Sequence, residues 1–390
     1  MILEGEFPPD VRVEGEINTL LAHGHEISLV CTTTKKNFYE SNYKEATVYY
    51  LPLSKILYKL GAIALLLPLY FNFWLKHLKK IISDNKFDVI HVHDLPLISV
   101  GYRLSRMFHI PCISDLHENR PEIMKMYCHV NTFPGNILIS TDQWEKYQAE
   151  YSRKVDYLIL VTEEARQYYA KRYNVALGRI CVVPNYVDIK ALKSIELDNA
   201  IINRYKDKFM LIYFGDTGTR RGTIDIIEAA RMLKDKTEFH FVIIGVSREQ
   251  KMLEQKIREY NISNVELTGY LPFNKITSYI KAARAGLCPF LKNMHHDTTY
   301  ANKLFQYMYF GKPVIVSNCT AQASIVKKES CGLVYEAGNP KQLAKSVVRL
   351  AASSLIKDMG EKGAKAVCEK YNPESGNAEL LKLYRSLKNG

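Results

Sequence analysis

Short apolar runs, each closed by a polar loop and followed by a helix with one apolar face, recur along most of the chain. The first instance is complete by Thr32. Ile2-Leu3 ends a strand and Phe7-Pro8-Pro9-Asp10 makes a rigid turn. A helix from Val11 carries Val13, Ile17, Leu20 and Leu21 on one stripe, and after Gly24 the segment Glu26 to Thr32 is the next strand. Strands joined through a helix lie parallel. Repetition of the unit therefore predicts an α/β class with parallel sheets covered on both faces. At 390 residues the chain is too long for one core, so two domains are expected. Residues 190–208 are polar and helical without a strong strand. They set the boundaries at 1–190, 191–370 and 371–390, the last being a helix with no strand to cover that returns to the first domain.

The strands of the first half are read at 87–92, 110–114, 155–161 and 180–183, with Thr162 capping the helix after the third. Those of the second half are read at 209–214, 239–244, 265–267, 286–290 and 314–317.

A composition of 47% hydrophobic and 24% charged residues is that of a folded protein. The formal charge of +12 points to an acidic partner. Nucleic acid is set aside, because basic residues are scattered and no block exceeds three in a row. Anionic headgroups or a phosphorylated substrate remain. The eight cysteines form no CxxC pair and read as free thiols in a reducing compartment. Met1-Ile2-Leu3 runs directly into Glu4 and Glu6, so no leader is expected and the protein is read as cytoplasmic. His91 and His93 share one strand face, a spacing metal sites use. With no third His or Cys near, they are read as a loop facing the ligand crevice, and no metal is expected.

Residues 57–80 contain the most apolar stretch, flanked by Lys76, Lys79 and Lys80. Pro68, Asn72 and Lys59 cut the clean run to about fifteen residues, whereas a span needs roughly twenty. A buried helix and a helix lying on an anionic membrane surface both remain open.

Two loops carry the chemistry. GDTGTRRG, 215–222, follows a strand and opens a helix; its glycines let the backbone approach a ligand, and Arg220-Arg221 suit a phosphate. Neither GxGxxG nor a P-loop is present. In 295–318, Leu304, Phe305, Met308 and Tyr309 form one helix face, Gly311 a C-cap, and Val314-Ile315-Val316 a strand. Asp297, Thr298 and Thr299 are placed at the helix start, where free N–H groups attract a diphosphate, and Lys303 adds a charge.

FPPDVRVEGEINTLLAHGHEISLV, DVIHVHDLP, ISDLHENRPE, VVPNYVD, YFGDTGTRRG, LTGYLP and ANKLFQYMYFGKPVIVSN occur in the order seen in retaining glycosyltransferases of family four. The chain resembles that family over nearly its whole length. The resemblance implies a GT-B fold, with two Rossmann-like domains whose parallel sheets face a central cleft. The acceptor would bind the first domain and the nucleotide sugar the second, with no metal and no cofactor beyond that co-substrate. It gives catalytic roles to His117, Arg221 and Lys303. Gly215, Arg220, Tyr270, Leu271, Thr298 and Thr299 fall on the donor side, as do Tyr300, Ala301, Asn302 and Gln306. Asp10, Arg12, His93, Asp94 and Glu118 fall on the acceptor side, and Gly5 or Gly15 match the early flexible loop. Three positions depart from the pattern: Asp216 replaces an arginine, and Thr298 and Gln306 replace the paired glutamates.

The implied activity is transfer of a hexose or N-acetylhexosamine, from a UDP-sugar in preference to GDP-mannose, to a glycan or lipid-linked acceptor in surface polysaccharide or glycolipid synthesis. A peripheral position on the inner face of the cytoplasmic membrane goes with it. No carboxylate pair is found for double displacement, so a front-face transfer assisted by the departing diphosphate is expected. A non-catalytic GT-B partner subunit and a sugar-nucleotide epimerase are the competing readings.

Overall fold

The computed structural model describes residues 1–388. The chain forms two units, Met1–Pro184 together with the chain from Gly376 on, and Asn185–Ser375.

In the first unit the strands are β1 (Ser28–Thr33), β2 (Tyr39–Tyr43), β3 (Ala46–Pro52), β4 (Ile90–His93), β5 (Cys112–Leu116), β6 (Tyr157–Leu160) and β7 (Ile180–Val182). β1 pairs parallel with β3, and β4 to β7 pair parallel in sequence order. The expected first strand is present only as Ile2, which bridges Val30 of β1 and Val92 of β4. It accepts from His93 N–H at 2.9 Å and donates to the His91 carbonyl at 2.8 Å. Counting Ile2 as a strand, the centre of the sheet has the doubly wound order 3-2-1-4-5-6, with the reversal between Ile2 and β4.

The hairpin of β2 and β3 was not expected from the sequence. β2 is antiparallel to β3 and mostly exposed, so its YESNY sequence carries no apolar alternation. Its register is fixed by Tyr39 stacked on Tyr50, centroids 4.3 Å apart.

Residues 57–80 divide into a buried part and an exposed part. Helix Leu69–Asp84 buries Tyr70, Phe71, Trp74, Leu78, Ile81 and Ile82 in the core. Ahead of it, helix Lys55–Leu60 buries none of its side chains, and Leu66, Leu67 and Leu69 stand exposed. Among the described residues no helix is long and apolar enough to cross a membrane. The last helix, Pro373–Lys388, packs Leu380, Leu383 and Tyr384 against Leu3, Val13, Ile17 and Leu29.

The second unit has a parallel sheet of β8 (Phe209–Phe214), β9 (Phe239–Ile244), β10 (Val265–Gly269), β11 (Ala285–Cys288), β12 (Val314–Ser317) and β13 (Gly332–Tyr335). The spatial order is β10-β9-β8-β11-β12-β13, again 3-2-1-4-5-6, with the reversal between β8 and β11. β13 was not read from the sequence; its Gly332-Leu333-Val334-Tyr335 run is half-buried except at Tyr335. Gly222 holds the loops after β8 and β11 together. Its φ is +75°, and a Cβ there would lie 1.7 Å from the Pro289 carbonyl oxygen.

Gly338 has nearly the same φ, +73°, but a Cβ there would meet nothing within 4 Å. Gly338→Ala should therefore cost only the left-handed penalty, about 1–2 kcal/mol. Gly222→Ala should cost clearly more, because the two loops must also separate. Denaturant midpoints compare them; equal losses would show that the close approach is not a constraint.

Candidate active site

In an open doubly wound sheet the strand-order reversal leaves a crevice at the carboxyl ends. In the second unit that crevice lies beyond Phe214 and Cys288. Lys303, on helix Asn302–Tyr309, reaches into it: its Nζ would be 3.0 Å from a Cβ at Gly215. The ammonium sits 3.8 Å from the centroid of Tyr213, 5.6 Å from Phe214 and 5.5 Å from Phe290. It has no ion pair among the described residues, and burial lowers its pKa to about 7.

Two arginines complete the group. The Arg221 guanidinium lies 5.1 Å from the centroid of Phe290. Its Nε is 3.9 Å from Asp216 Oδ2, and Arg220 Nη2 contacts the same oxygen at 2.6 Å. Burial pushes the Asp216 carboxyl up, but the Gly218 N–H at 2.9 Å and the two arginines hold it below the usual range. Asp216 thus braces the loop and draws Arg220 onto itself.

Sequence reasoning missed His296. Its Nδ1 lies 2.7 Å from the Leu291 carbonyl, which can only accept, so Nδ1 carries the hydrogen. The Nε2 lone pair then accepts from Arg221 Nη1 at 3.3 Å. Burial lowers the pKa to about 4 and keeps the ring neutral, and the ring stacks on Phe290 at 4.8 Å. Only the tertiary contact reveals this role; the sequence signal was no more than a His beside the anion-binding loop.

The expected helix start at Thr298 and Thr299 is corrected. A separate turn, Met294–Asp297, comes first, and the helix proper begins at Asn302 after Ala301. The Thr298 hydroxyl donates to the Met294 carbonyl at 2.7 Å and that of Thr299 to His295 at 2.7 Å. Threonines beside a turn back-bond in this way, and Thr298 is buried. Gln306 is half-buried one turn beyond Lys303, and Asn302 is exposed. Tyr300 packs edge-on to Phe305. Tyr270, 76% exposed, and half-buried Leu271 follow β10, two strands from the reversal. The structure therefore brings together Gly215, Arg220, Arg221 and Lys303, and Tyr270 and Leu271 follow Gly269, whose carbonyl accepts from the N–H of Gly245 beside Gly215.

In the first unit the polar side chains gather at Asp115. Arg12 grips both its oxygens, Nε to Oδ2 at 2.9 Å and Nη2 to Oδ1 at 2.7 Å, and donates to the Val183 carbonyl. His117 Nε2 lies 3.0 Å from Asp115 Oδ2 and its Nδ1 3.4 Å from Asp94 Oδ1. Burial alone would lower the His117 pKa; the carboxylates of Asp94 and Asp115 outweigh it and raise it to about 9. Asp94 has φ +64° and ψ 159°, a region that is nearly glycine-only and costs about 1–3 kcal/mol. That strained backbone sets the carboxylate beside His117.

Three residues expected on the acceptor side are engaged within the fold. Arg12 is buried and spent on Asp115, and His93 is fully buried. Asp10 caps helix Val11–Leu21, accepting from the N–H groups of Arg12 and Val13. Each belongs to a polar motif near a strand end, where sequence does not say which way a side chain points. Asp94 and Glu118 keep partial exposure.

Glu16, His91, His93 and Asp115 place one donor atom each within 4.8 Å of one another, all buried. Arg12 Nη2 is 3.2 Å from Glu16 Oε1 as well as paired with Asp115. The Arg12 guanidinium thus supplies the positive charge that faces the Asp115 carboxylate.

Two doubly wound parallel units, one carrying a cationic crevice at its reversal, define a GT-B glycosyltransferase. Residues 11–191 match the family described as Glycosyltransferase Family 4, and residues 194–366 match Glycosyl transferases group 1. The chain belongs to this group 1, family 4 type of glycosyltransferase and is an enzyme of that class. An uncharacterized glycosyltransferase of Methanocaldococcus jannaschii is 25% identical over 91% of this chain and 89% of its own length. The UDP-Gal:alpha-D-GlcNAc-diphosphoundecaprenol alpha-1,3-galactosyltransferase of Escherichia coli is 20% identical over 79% of this chain and 77% of its own. The solved structure of Anabaena HepE in complex with UDP has a TM-score of 0.73 at 12% identity, covering 99% of both chains.

Burial raises the Glu16 pKa from 4.5 to about 8. The fold therefore holds a proton on Glu16 that the unfolded chain has lost, and the stability tied to it declines as pH rises from about 5 through 8. Glu16→Gln is permanently neutral and escapes that decline. Its melting temperature relative to the unaltered protein should rise steadily across the interval; a constant difference would mean that Glu16 is ionised in the fold.

Proposed function

We propose that this glycosyltransferase is a retaining, metal-independent hexosyltransferase. It moves a hexose or N-acetylhexosamine from a UDP-sugar, with GDP-mannose as the alternative donor, to a glycan or lipid-linked acceptor in surface polysaccharide or glycolipid synthesis. The observation that carries the reading is the convergence of Arg221, Lys303 and Arg220 on the crevice between β8 and β11, with a half-buried lysine that makes no ion pair among the described residues. The names of the Escherichia coli relative and the Anabaena complex, which specify UDP-Gal and UDP, support the choice of base. The exposed Leu66, Leu67 and Leu69 ahead of Lys76, Lys79 and Lys80 support work at the cytoplasmic membrane surface.

In the transfer, the acceptor hydroxyl oxygen bonds to the anomeric carbon. The bond from that carbon to the diphosphate breaks, its electron pair stays on the phosphate oxygen, and that oxygen takes the acceptor proton. Negative charge grows on the diphosphate as the bond breaks, so cations fixed there favour the transition state over the ground state. His296, by accepting from Arg221, fixes the direction of the guanidinium. Gln306 is assigned to the ribose hydroxyls through its amide, and His117 to the sugar.

Release of UDP from a UDP-sugar in the presence of acceptor measures this step. Arg221→Ala should lower kcat/KM by roughly a hundredfold or more, the usual effect of removing one preorganised charge. His296→Ala should lower it less, by loosening the same guanidinium, while His117→Ala should act on turnover more than on UDP affinity. Normal release by both Arg221→Ala and His117→Ala would overturn the site assignment.

A further inference from the structure

Helices Leu69–Asp84 and Ile98–Phe108 leave an open groove of about 440 Å³ between them on the first unit. Its floor is apolar, built by Leu75, Tyr102 and Met107, and Met107 is 49% exposed. Lys76, Lys79, Arg103 and Arg106 line its walls, with no acidic residue among them. Arg106 is neutralised by Asp156 at 2.6 Å. The side chains of Lys76, Lys79 and Arg103 make no ion pair among the described residues.

The groove continues into a second feature. Leu69, Lys76 and Lys80 recur at i, i+7 and i+11, which puts them on one face of their helix. That face is opposite the stripe of Tyr70, Trp74, Leu78 and Ile81 that enters the core. Leu66, Leu67 and Leu69, each about half exposed, form an apolar crest at its N-terminal end. Aliphatic surface bordered by unpaired cations matches a bilayer boundary, where phosphate lies directly above acyl chain. A free phosphate would use the cations and leave the apolar floor wet. A nucleic acid would use the cations too, but the aromatic ring in the groove, half-buried Tyr102, already faces Arg106 and Lys154 at 5.5 and 5.8 Å from its centroid.

We propose that this groove binds an anionic membrane phospholipid, its phosphate on Lys76, Lys79 and Arg103 and its glycerol and upper acyl region on Leu75 and Met107, while the leucine crest enters the same bilayer. The site deepens the membrane part of the function proposed above, and rests on it.

The test is co-sedimentation of the full chain with phosphatidylcholine vesicles, with and without phosphatidylglycerol. Binding should require phosphatidylglycerol and weaken with salt. Each cation at an anionic surface is worth roughly fivefold in partitioning, so Lys76→Gln/Lys79→Gln/Arg103→Gln should bind about a hundredfold less. Met107→Gln changes no charge, and a several-fold loss is expected if the apolar floor is occupied. All four positions are at the surface, so melting temperatures should hold, which separates loss of docking from loss of fold. Equal binding to neutral vesicles, or an unchanged triple variant, would overturn the proposal. So would an unchanged Met107→Gln, which would mean flat electrostatic adhesion, or an RNA duplex that binds in a triple-variant-sensitive manner while vesicles do not. The UDP-induced shift in melting temperature is read on the same samples. Its absence would count against the proposed transfer reaction, whereas vesicle failure with that shift intact would sink only the lipid site.

Discussion

The packing of the Lys303 amine against three aromatic rings is the interaction on which the proposed chemistry of the second unit depends. Lys303 is brought there by the strand order, because the reversal between β8 and β11 is the one place where two neighbouring strands send their loops apart. Gly215 leaves the space that the ammonium occupies, and Gly222 lets the arginine loop lie against the carbonyl of Pro289. Burial of a lysine without a carboxylate is unfavourable in the absence of ligand. A diphosphate entering the crevice would supply that negative charge.

The first unit meets the same problem with the opposite solution. Its fully buried Asp115 carboxylate is satisfied internally: Arg12 grips both its oxygens, and His117 bridges it to Asp94. The network extends to the last helix through Tyr384, whose hydroxyl lies 2.8 Å from His91 Nδ1. The polar residues of this crevice are therefore fixed in direction by one another, and His117 and Asp94 are the members that keep partly exposed edges. The strained backbone of Asp94 belongs to the same arrangement, since the fold bears its cost to hold a carboxylate beside His117.

Much of this was legible in the sequence, and the failures have local causes. The alternation of apolar run, polar loop and helix identified β8, β9, β11 and β12 and with them the crevice; the motif resemblance then placed Arg221 and Lys303. Thr298 and Thr299 misled because a threonine ahead of an apolar helix looks the same whether it caps that helix or back-bonds to the turn before it. β2 escaped because a strand exposed on both faces has no alternation. Ile2 holds the centre of its sheet with a single pair of bridges, which no periodicity reveals. His296 and the buried Arg12–Asp115 pair are tertiary facts, set by contacts between residues far apart in the chain.

The proposed diphosphate site requires Lys303 to be largely neutral in the free enzyme and charged once a diphosphate is bound. Calorimetric titration with UDP at pH 8, in buffers of differing ionisation enthalpy, measures the protons taken up on binding. With the lysine pKa near 7 before binding, the uptake should approach about one proton, and Lys303→Arg, which stays charged, should bind UDP with almost none. Binding of UDP without proton uptake, or equal uptake in Lys303→Arg, would contradict the assignment of this crevice as the diphosphate site.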